Sequence, residues 1–172
     1  LLALSTFRWT GDGRYDVVSG ALIAWSRVVW LPGLWGLWER VRAERPVLGA
    51  FGWVTTSLGA FGGISFGLQG FYEDVFGVSG QQSLDALAQH PVTAPLVLWL
   101  PGPLFPISMM FLGVTLALTR VTPRWVAAVF FLGGAAFPPS RIPRIEAVAH
   151  AADLLLLLPS ATLGVVLLAR AA

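Results

Sequence analysis

Three ionisable residues near the C-terminus, Glu146, His150 and Asp153, are spaced so that a continuous helix places them on one face. Carboxylates and an imidazole together can ligate a divalent metal or relay protons. The spacing lacks the HExxH order typical of zinc hydrolases, and a hydrated helix end with Arg141 and Arg144 as counter-charges is the simpler interpretation. We therefore assign no metal site and keep the three residues as candidates for an ion or ligand pathway.

Arg27 lies well inside the apolar run from Val17 to Trp38. An arginine at the centre of a membrane helix costs about 2.5–3.5 kcal/mol, so it needs a partner, water or a route to the lipid headgroups. Three interpretations stay open: the side chain extends to the headgroups, forms a structural ion pair, or serves transport or ligand binding. For the ion pair we predict Asp153 as the partner, because both residues are assigned to the same half of the bundle.

The segment Pro101, Gly102 and Pro103, followed by Pro106, interrupts the start of the third apolar run. Each proline removes a backbone donor and clashes with the preceding turn, so a broken helix is one prediction here. Such breaks hold ions or substrates in many transporters, because the freed carbonyls can accept. The alternative is that the helix proper begins near Leu104, after an irregular lead-in.

Other polar residues carry weaker signals. His90 or His150 could coordinate haem or a chlorophyll-type pigment, but a lone histidine is not specific, so the cofactor stays unassigned. Glu73 and Asp74 suit a solvated acidic pair better than a cation site. The sequence has no Cys, no Gly-rich phosphate loop and no nucleophile motif, which favours a non-enzymatic protein.

The composition indicates a membrane protein, with the lipid bilayer as its first partner. Of 172 residues, 56% are hydrophobic and only 12% are charged, about half of the roughly 25% usual in soluble domains. The 11 basic residues are all Arg and are scattered between apolar runs, which excludes a nucleic-acid surface. The chain starts with Leu, and its first seven residues resemble the tail of an apolar segment, so we expect a further span or signal sequence before it.

The apolar runs predict an all-α, polytopic membrane bundle with five visible transmembrane helices, or six with the segment expected before residue 1. The expected spans are 17–38, 48–70, 96–119, 121–137 and 145–169. The polar loop 71–95 is expected to contain a short interfacial helix capped by Ser83.

The second span is expected to be the central helix of the bundle. Residues 48–70 contain no charge, and Thr55, Gly59, Gly63 and Gly67 recur at every fourth position. Small residues let two helix backbones approach closely, which is a main source of helix association in lipid. We therefore predict that neighbouring helices pack against this row as on a glycine zipper.

The arginines and tryptophans suggest an orientation. More arginines fall on the side of the 39–46 turn than on the opposite side, and the 71–95 loop has none. The positive-inside rule then places 39–46 in the cytoplasm and 71–95 outside, in a bacterial inner membrane. We expect Trp35, Trp38 and Trp53 to belong to an aromatic belt near the cytoplasmic face, together with Trp125.

These observations leave two hypotheses from different classes. In the first, the chain is a non-enzymatic accessory, scaffolding or assembly subunit of a larger membrane complex, or a small bundle that binds an apolar ligand. In the second, it is a small transporter or ion- or proton-handling protein that uses Arg27, His150, Asp153 and the proline-broken helix. A water-accessible path to Arg27 would favour the second, and co-purifying membrane subunits would favour the first.

Overall fold

A computed structural model describes residues 1–9, 15–141 and 145–171 of the chain. The described residues are helical apart from connecting turns and an isolated bridge between Trp9 and Tyr15, so the expected all-α class is confirmed. The helices are α1 (Leu2–Thr6), α2 (Val17–Glu44), α3 (Pro46–Phe76), α4 (Gly80–Ala88), α5 (Pro101–Thr119), α6 (Arg124–Arg141) and α7 (Glu146–Ala171), with a π-helical turn at Pro95–Trp99 before α5.

Four helical segments among the described residues are long and apolar enough to cross a membrane: Val17–Glu44, Pro46–Phe76, Pro95–Thr119 and Glu146–Val165. They coincide with four of the five expected spans, which supports a membrane protein. The remaining expected span, 121–137, corresponds to α6, a helix of 18 residues with arginine at both ends and two prolines. This helix is not apolar enough to belong to the group, and the count of five or six spans is not confirmed.

Helices α2 and α3 are longer than the apolar runs that predicted them. Only Arg45 separates the two helices. Pro46 begins α3, and a proline is favourable there because the first residue of a helix does not need its N–H for an internal hydrogen bond. At the other end of the pair, Asp16 caps α2 by accepting from the Ser19 N–H at 2.6 Å. Asp74, near the end of α3, accepts from the Val17 N–H at 2.8 Å and so joins the two helices.

The short helix expected inside the polar loop is present as α4, but the predicted cap is wrong. Ser79, not Ser83, is the N-cap: its hydroxyl accepts from the Gln82 N–H at 3.2 Å, and the Gln82 side chain accepts from the Ser79 N–H at 2.9 Å. This reciprocal pair is a capping box, which satisfies two helix-end donors at once. Ser83 instead accepts a hydrogen bond from Gln69 of α3.

Of the two expectations for the proline segment, the break is wrong, and the alternative of an irregular lead-in is closer, although α5 begins at Pro101 and not near Leu104. The chain is helical from Pro101 through Pro106, and the irregular geometry precedes it, where the Leu100 N–H donates to the Pro95 carbonyl at 2.8 Å. Pro101 and Pro103 lie in the first turn of α5, where an α-helix leaves its N–H groups without an internal acceptor anyway. Proline at these positions therefore begins the helix and does not interrupt it.

The small residues of α3 face two different neighbours. A Cβ added at Gly59 would come within 2.5 Å of the Phe105 backbone nitrogen on α5, whereas one at Gly67 would come within 2.8 Å of the Gly20 carbonyl oxygen on α2. Thr55 donates to backbone carbonyls of its own helix. Four residues turn an α-helix by about 40° more than one full circle, so the row winds around the helix. Here its residues lie at the contact with α5 and at the contact with α2.

One of the tryptophans expected in the aromatic belt belongs to the core. Trp38 is buried, and its indole N–H donates to the Thr56 hydroxyl at 2.8 Å. Trp35 is exposed and Trp53 is partly buried, and their rings pack edge to face with centroids 4.7 Å apart. The indole of Trp38 finds its polar partner inside the bundle, so it does not need the headgroup region.

Replacing Gly59 by alanine tests the close approach of α3 and α5. The new methyl would meet the Phe105 backbone, which cannot rotate away, and overpacking of this kind costs about 1–3 kcal/mol. We expect a lower melting temperature in detergent. Gly36→Ala is the matched control, because the space around Gly36 is open within 4 Å and alanine favours a helix by about 1 kcal/mol over glycine. Equal melting temperatures for the two variants would contradict the packing described.

Candidate functional site

Arg27 is buried between helices. It is 2% exposed, and its side chain crosses from α2 to α5 and α6. Its guanidinium carbon lies 3.7 Å from the centroid of the Phe105 ring and 5.3 Å from that of Phe137. The interpretation in which Arg27 extends to the lipid headgroups is therefore wrong. The charge is held among aromatic rings, whose faces attract cations.

The hydrogen-bonding capacity of Arg27 is largely unused. Its Nε and Nη1 atoms are buried and have no hydrogen-bond partner among the described residues. Nε lies beside Gly63, where an added Cβ would come within 2.5 Å, so this glycine makes room for the arginine. Each of these two buried donors costs about 1–3 kcal/mol without an acceptor. Cation–π contacts recover about 2 kcal/mol when desolvated. Arg27 is thus incompletely satisfied.

The predicted pair of Arg27 with Asp153 is wrong, because Asp153 pairs with Arg141. The Asp153 carboxylate is fully buried and accepts from the Arg141 Nη2 group and from the Thr6 hydroxyl, the latter at 2.6 Å. Arg141 Nη1 also donates to the Thr6 hydroxyl, at 3.3 Å. The end of α6 and the start of α7 adjoin, so Arg141 comes to Asp153 from the neighbouring helix end. These contacts join α1, α6 and α7.

Arg27, Arg141 and Asp153 form one charged group, which we call the Arg27 cluster. Arg141 and Asp153 both lie within electrostatic range of Arg27. The Arg141 guanidinium carbon lies 5.0 Å from the Phe137 ring centroid, so both arginines border the same ring. Arginine stays protonated in proteins, and the cluster of two cations and one carboxylate carries one net positive charge.

Further buried donors surround the cluster. Arg141 Nε and Trp9 Nε1 also lack a hydrogen-bond partner among the described residues, and the Arg141 guanidinium lies 4.9 Å from the Trp9 ring centroid. Indole and guanidinium N–H groups donate and never accept. Among the described residues, four buried donor atoms on Trp9, Arg27 and Arg141 therefore lack a hydrogen-bond partner, and the Asp153 carboxylate between them is already in use.

The other candidates on α7 do not join this cluster. Glu146 and His150 approach each other, with Oε1 and Nε2 3.5 Å apart, and the Glu146 side chain is 62% exposed. The His150 ring packs on Phe7 with centroids 4.2 Å apart. Over the parts of the chain that the structure describes, no three His, Asp or Glu side chains are grouped as metal ligands. Arg144, expected as a counter-charge, lies outside the described residues.

The proline segment contributes packing close to the cluster. Pro101 adjoins Gly62 of α3, where an added Cβ would come within 2.6 Å of the Pro101 carbonyl oxygen. Gly102 accommodates the Phe66 ring, and Pro103 is exposed. These residues set the distance between α3 and α5, and so the position of Phe105 against Arg27.

Sequence reasoning missed several residues of the site. Thr6, Trp9, Phe105 and Phe137 carry no charge or motif, and their role follows only from the packing of α1, α5 and α6. Arg141 was expected as a surface counter-charge, and its proximity to Asp153 in the sequence, 12 residues, was the one available signal for the pair.

Comparison with known proteins assigns no function. No protein-family model matches the sequence, and no curated protein or solved structure matches it. The function of the protein must therefore be inferred from the geometry of the Arg27 cluster.

Removing the carboxylate of the buried pair should destabilise the protein strongly. Asp153→Ala leaves Arg141 buried without its partner, and breaking such a pair costs about 3–5 kcal/mol. The double variant Arg141→Met with Asp153→Leu should recover much of this loss, measured as melting temperature in detergent. The control is Glu39→Gln, which breaks the exposed Arg42–Glu39 pair at 2.7 Å and should cost less than about 1 kcal/mol. A similar, small effect of Asp153→Ala would refute the role of the pair.

Proposed function

We propose that this chain is a small integral membrane protein that binds an anion within its helix bundle, in the manner of a transporter or other ion-handling protein. The observation that carries the proposal is the buried Arg27, whose Nε and Nη1 donors have no partner among the described residues. In this proposal the described form is the closed one, in which protein covers the site.

A comparison of Arg27 with Arg141 supports anion binding by Arg27 over a purely structural role. Arg141 is tied to Asp153 and Thr6, as expected for an arginine that joins helices. Arg27 packs on aromatic rings, and its Nε and Nη1 atoms have no hydrogen-bond partner among the described residues. A leucine or methionine would fill the same apolar space without a buried charge. An arginine that is unfavourable for stability and lacks a carboxylate of its own is explained if an external anion completes it.

The accessory-subunit hypothesis is the second candidate. It rests on the apolar surface of the four candidate spans, which the lipid bilayer covers as well as a protein partner does. The same holds for an apolar ligand in the shallow groove lined by Val28, Leu31, Pro32, Trp35 and Trp53. Neither feature accounts for Arg27, so we rank this hypothesis below anion binding.

The membrane arrangement that we propose includes α6 as a fifth, short span and α3 as the central helix. The contacts of α6 with α5 and α7, and of α3 with α2 and α5, support this arrangement. The arginine bias supports a cytoplasmic 39–46 segment and an external 71–95 segment in a bacterial inner membrane.

Cysteine labelling tests the orientation, because the chain has no cysteine of its own. Ala43→Cys and Gln81→Cys place single thiols at exposed positions at opposite ends of the bundle. Gln81 is preferred to Gln82, which completes the capping box of α4. An impermeant maleimide applied to intact cells should label position 81 and not position 43 until the cells are lysed. Labelling of both positions in intact cells would overturn the arrangement.

Anion binding should stabilise the purified protein. In uncharged detergent at constant ionic strength, sodium chloride, acetate, benzoate, phosphate and sulfate are titrated while the 8 tryptophans report unfolding. At 100 times its Kd a ligand adds about 2.7 kcal/mol, which corresponds to several degrees in melting temperature. We expect a saturable rise with at least one of these anions.

The matched variants are Arg27→Gln and Arg124→Gln. Arg27→Gln should abolish the saturable rise, whereas Arg124→Gln, which removes an exposed arginine at the start of α6, should keep it. The proposal fails if no anion gives a saturable rise, or if both variants respond as the wild type does.

A further inference from the structure

Resting on the proposed anion site, we infer that the net charge of the Arg27 cluster selects a monoanion, and that Asp153 is the residue that sets this selection. The inference follows from the charges, donors and rings around Arg27.

The charge balance of the cluster favours one added negative charge. Two guanidinium groups and one carboxylate leave a single uncompensated positive charge in a region where Arg27 is 2% exposed and the Asp153 side chain is fully buried. A monoanion brings the group to neutrality. A dianion would leave an excess negative charge away from water, which is unfavourable in a low-dielectric interior.

The donors available to a ligand are few and are all cationic or aromatic N–H groups. They belong to Arg27 Nη1 and Nε, Arg141 Nε and Trp9 Nε1, and the Thr6 hydroxyl is already used by Asp153 and Arg141. Nε of Arg27 lies beside Gly63. Sulfate or a phosphate monoester carries more acceptor oxygens than this set can satisfy, whereas a carboxylate or halide needs fewer donors.

The aromatic rings around the arginines also favour a monoanion. Phe105 covers one face of the Arg27 guanidinium at 3.7 Å, and Phe137 borders both arginines. These rings provide no hydrogen bonds to oxygens that point away from the arginines. A small monoanion, or a carboxylate with an apolar group that packs on the rings, matches the surroundings better than a highly hydrated dianion.

Asp153 sets the selection because it cancels one of the two positive charges. With a neutral side chain at position 153 the cluster would carry two uncompensated positive charges and would accept a dianion. A purely structural Asp153 would alter stability when replaced, but it would not change the relative affinity for anions of different charge.

The test measures Kd for sodium acetate and sodium sulfate at equal ionic strength by isothermal titration in uncharged detergent. The variants are Asp153→Asn and Thr6→Val, the second of which removes the hydroxyl bonded to Asp153 and keeps the charge of the cluster. We expect the wild type and Thr6→Val to bind acetate at least about tenfold more tightly than sulfate. Asp153→Asn should reverse this preference.

A further variant keeps the test decisive if Asp153→Asn does not fold. Arg141→Gln leaves Arg27 and Asp153 as a neutral pair, so acetate binding should be lost although Arg27 is retained. Acetate binding by Arg141→Gln with wild-type affinity would overturn the inference, and so would equal affinity of the wild type for acetate and sulfate. Both outcomes would leave Arg27-dependent anion binding intact, whereas absence of binding by every anion would overturn the proposed function itself.

Discussion

At the end of the bundle that holds α1, buried N–H groups of Trp9, Arg27 and Arg141 have no hydrogen-bond acceptor among the described residues. Asp153 is the only carboxylate that the described structure brings to the two buried arginines, and it is taken by Arg141 and Thr6. Lipid offers no water to complete the remaining donors. The packing of α1, α6 and α7 therefore depends on the pair that is satisfied, and the chemistry that we propose depends on Arg27, which is not.

The glycines of α3 connect helix packing to this site. Gly67 and Gly20 let α2 approach α3 closely, and Gly63 leaves the volume that the Arg27 side chain occupies. A larger residue at 63 would displace the arginine from the Phe105 ring, since the neighbouring backbone is fixed by the same close approach. Small residues that favour helix association in lipid thus also position a charge inside the bundle.

The sequence predicted the features that depend on the length of apolar runs, and it failed where tertiary contacts decide. Four long helices and the presence of α4 follow from local pattern. The prediction of a broken helix was wrong because the N–H groups of a first helical turn have no acceptor within the helix. Pro101 and Pro103 lie in that turn, so their missing N–H groups cost no hydrogen bond. Arg27 was expected to need a partner, water or the headgroups, but its surroundings come from Phe105 and Phe137, which no spacing rule relates to it.

The shortest described helix depends on tertiary contacts for its stability. Helix α1 has five residues, fewer than an isolated helix needs to persist in water. It is held by tertiary contacts: the Ser19 hydroxyl donates to the Ser5 carbonyl at 3.0 Å, and Thr6 donates to Asp153. An anion that drew Arg141 away from Asp153 would weaken the contact that retains α1, because the Thr6 hydroxyl bonds to both groups.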